Sequence, residues 1–338
     1  MAVYFATNDD RGRWDAYLDR YSAQPSMNYY VWKEILKKSY GVDTFFIFAE
    51  NSAGEICGVC PGYFAKTPGG RVFYSLRFGL IADNASVNEL FTFLIPWCKA
   101  QGATAAVISS GYTRVATSIE GYSKKTVCMG LASSEEEAWR ALSNKTRNMI
   151  RKAIKSGLIA EYGLQNLREF YKIYRQRMLG KGISIHSYEF FKNLTEQLAD
   201  RVELIVAKSS NEVIGGILNL LNKDCAIYPF QAYRTGTEQY APTQFLIWET
   251  MKLCIKNGIS ILDMGESREG SGVYQSKVNF GGIPRELYYY TPLRQNIKEK
   301  SFCLAKIFDA VAAVGIARGP LFLRRKVGVW RKKHGRII

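Results

Sequence analysis

Residues 261–284 of this 338-residue chain read ILDMGESREGSGVYQSKVNFGGIP, and this is the most informative stretch of the sequence. The apolar run 259–264 predicts a buried strand, which a polar, glycine-rich segment follows. The pattern therefore predicts a loop that carries Lys277 and ends at the turn 281–284. Such a loop can present backbone N–H groups and a positive charge to a ligand, although an ordinary surface loop has the same composition.

The length and composition predict a globular protein with two domains. Apolar residues make up 47% of the chain and aromatic residues 13%, which excludes an intrinsically disordered protein. Residues 1–14 lack the apolar core of a secretory signal, and the seven cysteines form an odd, scattered set. We therefore expect a reduced protein in the cytoplasm.

Neither a metal centre nor a tightly bound cofactor is expected. Cys57 and Cys60 form a C-x-x-C pair, but they lie in an apolar, strand-like run without a second pair. The chain has only two histidines, His186 and His334, which also leaves no arguable Ser-His-Asp or Cys-His set. We interpret the two thiols as buried strand residues.

The positive charge is concentrated at the C-terminal end. The formal net charge is +16, and residues 294–338 contain twelve Lys and Arg against two acidic residues. Charges and Pro320 interrupt the apolar segment 302–323, so it does not predict a membrane-spanning helix. One interpretation is a basic amphipathic tail that binds the anionic inner face of the cytoplasmic membrane through residues 302–336. There are two alternative interpretations. The tail could be a helix that packs on the body of the protein and has a solvated basic end, or it could contact RNA.

The two halves of the chain repeat one order of predicted elements: three strands, a helix and a further strand. The predicted ranges are 44–50, 55–66, 71–80, 86–101 and 103–109 in the first half, and 201–208, 212–221, 225–233, 243–257 and 259–264 in the second. Gly102 and Gly258 follow the two helices at the C-cap position. The sequence therefore predicts a duplicated α/β unit.

This order of elements is similar to the acyltransferase core of the GNAT type. No G-x-G-x-x-G or Walker A sequence follows a strand, so a dinucleotide-binding fold is not predicted. We expect an α/β (α+β) protein with two tandem GNAT-like domains, whose mixed, mostly antiparallel sheets are flanked by helices, and a basic helical tail. The expected ranges are 1–132 for the first domain, 133–157 for a basic inter-domain helix, 158–293 for the second domain with the active cleft, and 294–338 for the tail.

The inter-domain segment predicts a strongly basic helix. Ser134 and Glu137 form a capping box that begins the preceding helix. Residues 143–157 then contain five Lys and Arg, no acidic residue, and apolar residues at helical spacing. Arg147, Arg151 and Lys152 are candidates for contact with phosphates or RNA, and a solvated helix face is the alternative.

Several of these segments resemble the Fem family, the peptidoglycan bridge-forming aminoacyltransferases and their exosortase-associated, GNAT-like relatives. The resemblance rests on the basic block 145–157, the helix 243–258, the Asp-Met-Gly triplet at 263–265 and the segment 270–289. It covers residues 139–290 well and the N-terminal half only in element order. It implies transfer of an aminoacyl or acyl group, from aminoacyl-tRNA or acyl-CoA, to an amine of a peptidoglycan or polysaccharide precursor.

The resemblance also implies roles for individual residues. Lys277 matches the lysine of the family's Phe-Lys pair, which lies beside the reacting carbonyl, whereas Ser276 stands where the family has Phe. Lys33 and Lys181 match basic residues that bind the phosphates of the precursor. Residues 174–187 leave no room for the helical arm that some members insert in the second domain.

Acyl transfer to an amine requires stabilisation of the oxyanion that forms at the carbonyl. A lysine ammonium can supply it, at about 3 kcal/mol for one good donor, so Lys277 is the first catalytic candidate. An ion pair between Lys277 and Glu266 or Glu286 is the structural alternative. Asp263, which ends the buried strand, is a candidate base for the amine or a group that holds the following loop.

Other residues are candidates for binding substrate in the second cleft. Its aromatic side chains suit an acyl or sugar channel as well as a core, and Arg234 precedes a helix N-terminus that can hold a pyrophosphate. The candidates are Lys33, Lys181, Tyr228, Tyr233, Arg234, Arg268 and Tyr274. The rival to an enzyme is a non-catalytic double-GNAT protein that binds RNA or an anionic membrane through its tail.

Overall fold

A computed structural model describes residues 1–21, 23–67 and 70–294 of the chain. The predicted basic tail, apart from the backbone of Arg294, lies outside the described residues. Within the described ranges, no helix has both the length and the apolar character needed to cross a membrane.

The structure contains the ten elements of the predicted repeat in the predicted order, together with further strands and helices. The strands are β1 (Ala2–Phe5), β2 (Thr44–Glu50), β3 (Ile56–Thr67), β4 (Gly70–Ser75), β5 (Ile81–Ala82), β6 (Ala103–Gly111), β7 (Gly121–Gly130), β8 (Ile159–Tyr162), β9 (Val202–Ser209), β10 (Glu212–Leu221), β11 (Cys225–Tyr233), β12 (Ile261–Glu266) and β13 (Ile283–Arg294). The helices are α1 (Arg11–Asp19), α2 (Trp32–Tyr40), α3 (Asn84–Ala100), α4 (Glu135–Ala141), α5 (Asn144–Lys155), α6 (Leu167–Gly180), α7 (Tyr188–Gln197), α8 (Pro242–Lys256) and α9 (Gly272–Asn279). The predicted ranges of β2, β10 and β11 agree with the structure.

The strands form one continuous mixed sheet in the order β1-β2-β3-β4-β6-β13-β7-β12-β11-β10-β9-β8, with β5 paired to β3. Among the described strands, the pairing is parallel only between β4 and β6 and between β11 and β12. A long helix, α3 or α8, links the two strands of each parallel pair, as a parallel crossover requires. The predicted duplicated unit and its mostly antiparallel sheet are confirmed.

The two halves exchange strands at the centre of the sheet. Strand β13 of the second half pairs with β6 of the first, and β7 of the first half pairs with β12 of the second. The exchanged strands also pair with each other, from Ile283–Cys128 to Tyr290–Gly121. Strand β12, which leads to the segment with Lys277, is therefore hydrogen-bonded to a strand of the first half.

Helices cover both faces of the sheet because side chains alternate along each strand. One face carries α1, α2, α6 and α7, which share a core that includes the fully buried Trp14, Trp32 and Phe190. The opposite face is covered by α3 over the first half and by α4, α5 and α8 over the second. Helix α2 packs on α7, so the two halves are joined by side chains as well as by strands.

The predicted loop around Lys277 is wrong from Gly272 onward, where the chain forms α9. Ser271 begins this helix, because its Oγ accepts a hydrogen bond from the backbone N–H of Tyr274 at 3.2 Å. The glycines that flank Ser271 give the segment the composition of a loop and conceal the cap. Strand β4 also ends at Ser75, earlier than the predicted 71–80.

Candidate active site

A cavity of about 470 Å³ opens where the parallel strands β11 and β12 separate. The two strands are paired only from Cys225–Ile261 to Ile227–Asp263, and β11 then continues alone to Tyr233. Residues from β11, from the first turn of α8 and from α5, α6 and α9 line the cavity. Four of the predicted site residues, Lys181, Tyr228, Tyr233 and Lys277, lie in its lining.

Lys277 is buried, and its ammonium is held by oxygen atoms of the segment that follows β12. Its Nζ donates to the carbonyl oxygens of Gly265 at 2.8 Å and Glu266 at 3.4 Å, and to Ser267 Oγ at 2.7 Å. Burial is the main cause that lowers the pKa of Lys277; Asp263 and Glu266 raise it, and the positive charge of Arg77 lowers it, so that the resulting pKa is about 8. Among the described residues, Glu266 is paired with Arg77 and Lys124, whereas the ammonium of Lys277 is bonded to the three oxygens named above. Whether Lys277 has a catalytic or a structural role stays a prediction.

Two glycines give Lys277 this environment. Gly265 has φ +81°, a conformation that side chains disfavour, and its carbonyl oxygen accepts the bond from Nζ. A Cβ at Gly282 would lie 2.4 Å from Val127 Cγ1 and 2.9 Å from the carbonyl oxygen of Lys277, so only glycine lets β13 begin here. The predicted turn at 281–284 therefore packs the C-terminal end of α9 closely against β7.

Asp263 is fully buried, and residues of the first half hold its carboxylate. Thr126 Oγ1 donates to its Oδ1 at 2.5 Å and Tyr112 OH donates to its Oδ2 at 2.8 Å, while the backbone N–H of Gly265 donates to Oδ1 at 2.8 Å. Arg77 adds a positive charge 3.7 Å from Oδ2. Burial raises the pKa of Tyr112, so its hydroxyl remains a donor to Asp263 across the ordinary pH range.

A second carboxylate, Glu266, belongs to the same network. Tyr289 OH donates to its Oε1 at 3.0 Å, Arg77 lies 3.8 Å away and Lys124 lies 3.6 Å away. Arg77 therefore faces both Asp263 and Glu266, from a segment of the first half that follows β4. The strand end beneath Lys277 is thus fixed by side chains from both halves of the chain.

Two cations line another side of the cavity. The guanidinium of Arg177 lies 3.6 Å from the ring centroid of Tyr233 and 3.3 Å from Glu238. Burial, and secondarily the charge of Arg177, lower the pKa of Lys181, which stands one helical turn further along the chain. Glu238 also belongs to the lining and offsets part of this charge, but Arg177 and Lys181 together still leave this side of the cavity with a net positive charge that favours an anion.

The N-terminus of α8 also faces the cavity. Ala241, Pro242, Thr243 and Gln244 belong to the lining, and no side chain of the described residues caps the helix. The free N–H groups of a helix N-terminus attract anions. Ala241 adopts a left-handed conformation with φ +52° at the start of this helix, a position that glycine would occupy without strain.

The other predicted substrate-binding residues lie elsewhere. Lys33 Nζ donates to Tyr30 OH at 2.7 Å and to Ala6 O at 3.2 Å within the first half. Arg234 is paired with Glu212 at 2.7 Å, and it is not part of the cavity lining. Arg268 lines a separate groove of about 490 Å³ beside β7, and Tyr274 packs against the core under α8. Their predicted contacts with substrate stay predictions.

The basic helix predicted between the halves is α5, and Met149 of this helix belongs to the cavity lining. Arg147 donates to the carbonyl oxygens of Trp139 and Arg140, so it closes the end of α4. Arg151 lies 5.4 Å from the ring centroid of Trp139 and is exposed, as is Lys152. The exposed cations of α5 therefore stand on a helix that borders the cavity.

Sequence reasoning missed Arg77 and Arg177. Arg177 precedes Lys181 by four residues on a helical segment, so the helical period could have placed both on one face. Arg77 gives no comparable signal, because it meets Asp263 only after the strand exchange. The sequence distance between these partners is too large for any local pattern to reveal.

Comparisons with known proteins agree with this fold. Residues 140–275 match the acetyltransferase (GNAT) domain family. Among solved structures the chain is similar to FemX, with 15% identity and a TM-score of 0.67 over 91% of this chain and 100% of that one. None of the curated proteins matches the chain in sequence.

Two further solved structures share the fold. One is the C-terminal domain of a putative lysylphosphatidylglycerol synthetase from Agrobacterium fabrum, with 11% identity and a TM-score of 0.58 over 92% of this chain and 98% of that one. The other is a tandem GNAT protein from the clavulanic acid biosynthesis pathway, with 8% identity and a TM-score of 0.54 over 86% and 98%. The predicted tandem GNAT fold and the resemblance to Fem proteins are confirmed at the level of the fold.

Proposed function

We propose that this protein with a tandem GNAT fold is an N-acyltransferase that moves an aminoacyl or acyl group from a phosphorylated donor to an amine. The observation that carries the proposal is Lys277, a buried cation in the lining of a cavity that also holds Arg177 and Lys181. A fixed cation suits the carbonyl of an activated acyl group, and the other two suit the phosphates attached to it. The acceptor that we propose is an amine of a cell-envelope precursor, in keeping with the Fem-like fold.

In the proposed reaction the neutral amine attacks the carbonyl carbon of the donor. A C–N bond forms, the ester C–O or thioester C–S bond breaks, and the amine proton leaves with the departing oxygen or sulfur. Lys277 stabilises the negative charge on the carbonyl oxygen in the transition state. Its 3.4 Å contact with Glu266 O is the weakest of its three bonds, so a substrate oxygen can replace it while Gly265 O and Ser267 Oγ keep the ammonium in place.

We assign Asp263 a supporting role rather than that of the base. Its two oxygens already accept three hydrogen bonds and face Arg77, and the residue has no exposed surface. A base must lie within hydrogen-bonding reach of the proton that it removes. Asp263 therefore fixes the strand end that positions Lys277, and the proton transfer that we propose is between the two substrates.

We favour aminoacyl-tRNA as the donor, because α5 offers exposed cations beside the cavity and suits an extended polyanion. Helix α8 begins with Pro242, which has no N–H, and lacks the glycine-rich turn that brings a pyrophosphate close to a backbone. Acyl-CoA is the second candidate, and the match to the GNAT domain supports it. Titration of the protein with aminoacyl-tRNA and with acetyl-CoA separates the two, and binding of neither would overturn the proposal.

Arg177 and Lys181 are expected to bind the phosphates of the donor. Replacing Arg177 with glutamine should weaken donor binding by about ten- to a hundredfold, since a charge-assisted bond contributes roughly 1.5–3 kcal/mol. Lys181→Gln should have a similar effect. Arg234→Gln is the matched control, because Arg234 is paired with Glu212 outside the cavity and its loss should leave the dissociation constant unchanged. An equal loss in all three variants would indicate a nonspecific effect of charge.

The rate should fall as pH rises through about 8, because the folded-state pKa of Lys277 is about 8 and the ammonium is the active form. The ordinary pKa of this group is higher, so between the two values the unfolded chain binds more protons than the folded one. The contribution of Lys277 to the free energy of unfolding therefore rises with pH in that window, and unfolding through this group does not explain a loss of rate. Lys277→Arg should remove this basic limb from the kcat profile, since arginine stays charged; an unchanged limb would contradict the assignment.

Cytoplasmic location, and binding of the tail to an anionic membrane or to RNA, belong to the proposal as well. Deleting part of the tail tests whether the protein is an enzyme or a non-catalytic protein that binds RNA or a membrane. Deletion of residues 324–338 should weaken membrane or RNA binding and leave donor turnover intact. If turnover with every donor is absent while binding persists, the rival explanation is correct.

A further inference from the structure

An aromatic patch covers the outer surface of the first half. It consists of Phe5 on β1, Phe45 on β2, and Phe93 and Trp97 on α3. The ring centroid of Phe5 lies 5.1 Å from that of Trp97, 5.4 Å from that of Phe93 and 6.3 Å from that of Phe45. Phe5 is 41% exposed and the other three are half-buried, so four large rings reach the surface together.

The α3 side of the aromatic patch is apolar and carries a cation. On α3, Ile95 is half-buried and Pro96 is exposed beside the rings, and Lys99 is exposed in the last turn of the helix. The single acidic residue of α3 is Glu89, eight residues before Trp97 and therefore ~12 Å away along the helix axis. An apolar surface with basic residues at its border is typical of contact with lipid head groups.

The described chain ends next to this patch. Strand β13 ends at Arg294, which pairs with Ala105 of β6, and the beginning of β6 pairs with Arg71 of β4. Two strand spacings, ~10 Å, therefore separate the chain exit from Arg71. The Arg71 guanidinium lies 4.1 Å from the ring centroid of Phe64, whose ring in turn contacts Phe45 and Trp97.

The charge of the following sequence is strongly positive. Residues 295–338 contain eleven Lys and Arg against Glu299 and Asp309. Each basic residue held near an anionic leaflet adds to its attraction for the protein. This charge is attached to the chain beside the aromatic patch. A partner that binds both the positive charge and the patch must be anionic and able to accept aromatic rings.

We propose that the aromatic patch docks on the surface of an anionic lipid membrane, with its rings at the level of the head groups. Aromatic side chains favour this level because it accommodates an apolar ring beside water. The positive sequence after Arg294 draws the same surface toward the bilayer, and the patch adds the apolar contribution that charge alone does not provide. The inference goes beyond the proposed acyl transfer and does not depend on it.

Cosedimentation of the full chain with vesicles of phosphatidylcholine and phosphatidylglycerol tests the proposal. The double variant Phe5→Ser/Phe93→Ser should lower the partition coefficient by about tenfold or more, since it removes two apolar rings from the contact. Ile159→Ser is the matched control, because Ile159 is 66% exposed on β8, at the opposite end of the sheet. It should bind like the unaltered chain.

Three outcomes would overturn the proposal. The full chain does not bind the vesicles; the double variant binds as well as the full chain, so that the sequence after Arg294 acts alone; or the patch variants dissociate a dimer and leave lipid binding unchanged. In the last case a second copy of the chain occupies the patch. Analytical ultracentrifugation without vesicles identifies this case.

A second measurement avoids any loss of folding caused by the serine substitutions. Vesicles with brominated acyl chains quench the fluorescence of tryptophans that enter the bilayer. In a Trp330→Phe background, which removes the tryptophan of the tail, the vesicles should quench part of the remaining emission, and Trp97→Phe should abolish that part. Quenching that is absent, or that persists without Trp97, contradicts docking through the aromatic patch.

Discussion

Replacing Lys277 with alanine is expected to lower the rate of acyl transfer by about 10²–10³-fold, the usual effect of removing one donor to a developing oxyanion. The variant loses the buried cation of the cavity but keeps Arg177 and Lys181, so donor binding should change little. Single-turnover kinetics with the donor that the unaltered chain uses, together with its dissociation constant, measure both quantities. A loss confined to the rate indicates a contact made in the transition state.

Ser267→Ala is the matched control for Lys277→Ala. It removes one of the three acceptors of the ammonium, at 2.7 Å, and leaves the charge in place. We expect a loss of about tenfold, in keeping with one hydrogen bond to a charged group. If Lys277→Ala retains the full rate and only the melting temperature falls, Lys277 is a structural residue and the proposed mechanism is wrong.

Replacing Asp263 with alanine is expected to lower the free energy of unfolding by about 3–5 kcal/mol, because it removes one partner of a buried ionic network. Tyr112, Thr126 and the N–H of Gly265 would lose their acceptor, and Arg77 would lose one of its two carboxylates. Urea denaturation measures the change. Thr126→Val is the matched control, since it removes a single hydrogen bond and should cost about 1 kcal/mol.

Asp263→Asn separates support from base catalysis. Asparagine keeps the shape and one oxygen acceptor, so a supporting residue should retain a rate within about tenfold of the original. A general base at this position would lose about 10²–10⁴-fold, because an amide does not take the proton. A folded Asp263→Asn variant with a loss as large as that of Lys277→Ala would reverse our assignment.

The sequence predicts the elements of this fold better than their environment. Alternation and helical spacing give the ranges of β2, β10 and β11, since these patterns depend on residues a few positions apart. The segment around Lys277 is the exception, because glycines on both sides of Ser271 obscure a helix cap. The same local limit explains why Lys181 is found without Arg177, although both lie on α6 or at its end.

The residues predicted for the candidate site also fall into two groups, those that lie in the cavity and those that do not. Residue chemistry and family resemblance identify Lys277, Tyr228 and Tyr233, which the fold brings to one cavity. Lys33 and Arg234 carry the right charge at plausible positions, but both lie outside the cavity lining, where Lys33 Nζ donates to Tyr30 OH and Arg234 pairs with Glu212. A positive residue in the sequence does not reveal whether its partner is a ligand or a neighbouring side chain.

The amino-acid sequence alone establishes the duplicated α/β order and the position of Lys277 after the last strand of the second unit, because both depend on local periodicity and composition. The exchange of β7 and β13, and the contacts of Arg77, Tyr112 and Thr126 of the first half with Asp263 of the second, are visible only in the three-dimensional structure. A strand presents the same unpaired N–H and C=O groups to any neighbour, so the local sequence does not select its partner. Its partner is chosen by the packing of the whole sheet, and that choice places residues 137 and 151 positions apart within hydrogen-bonding distance.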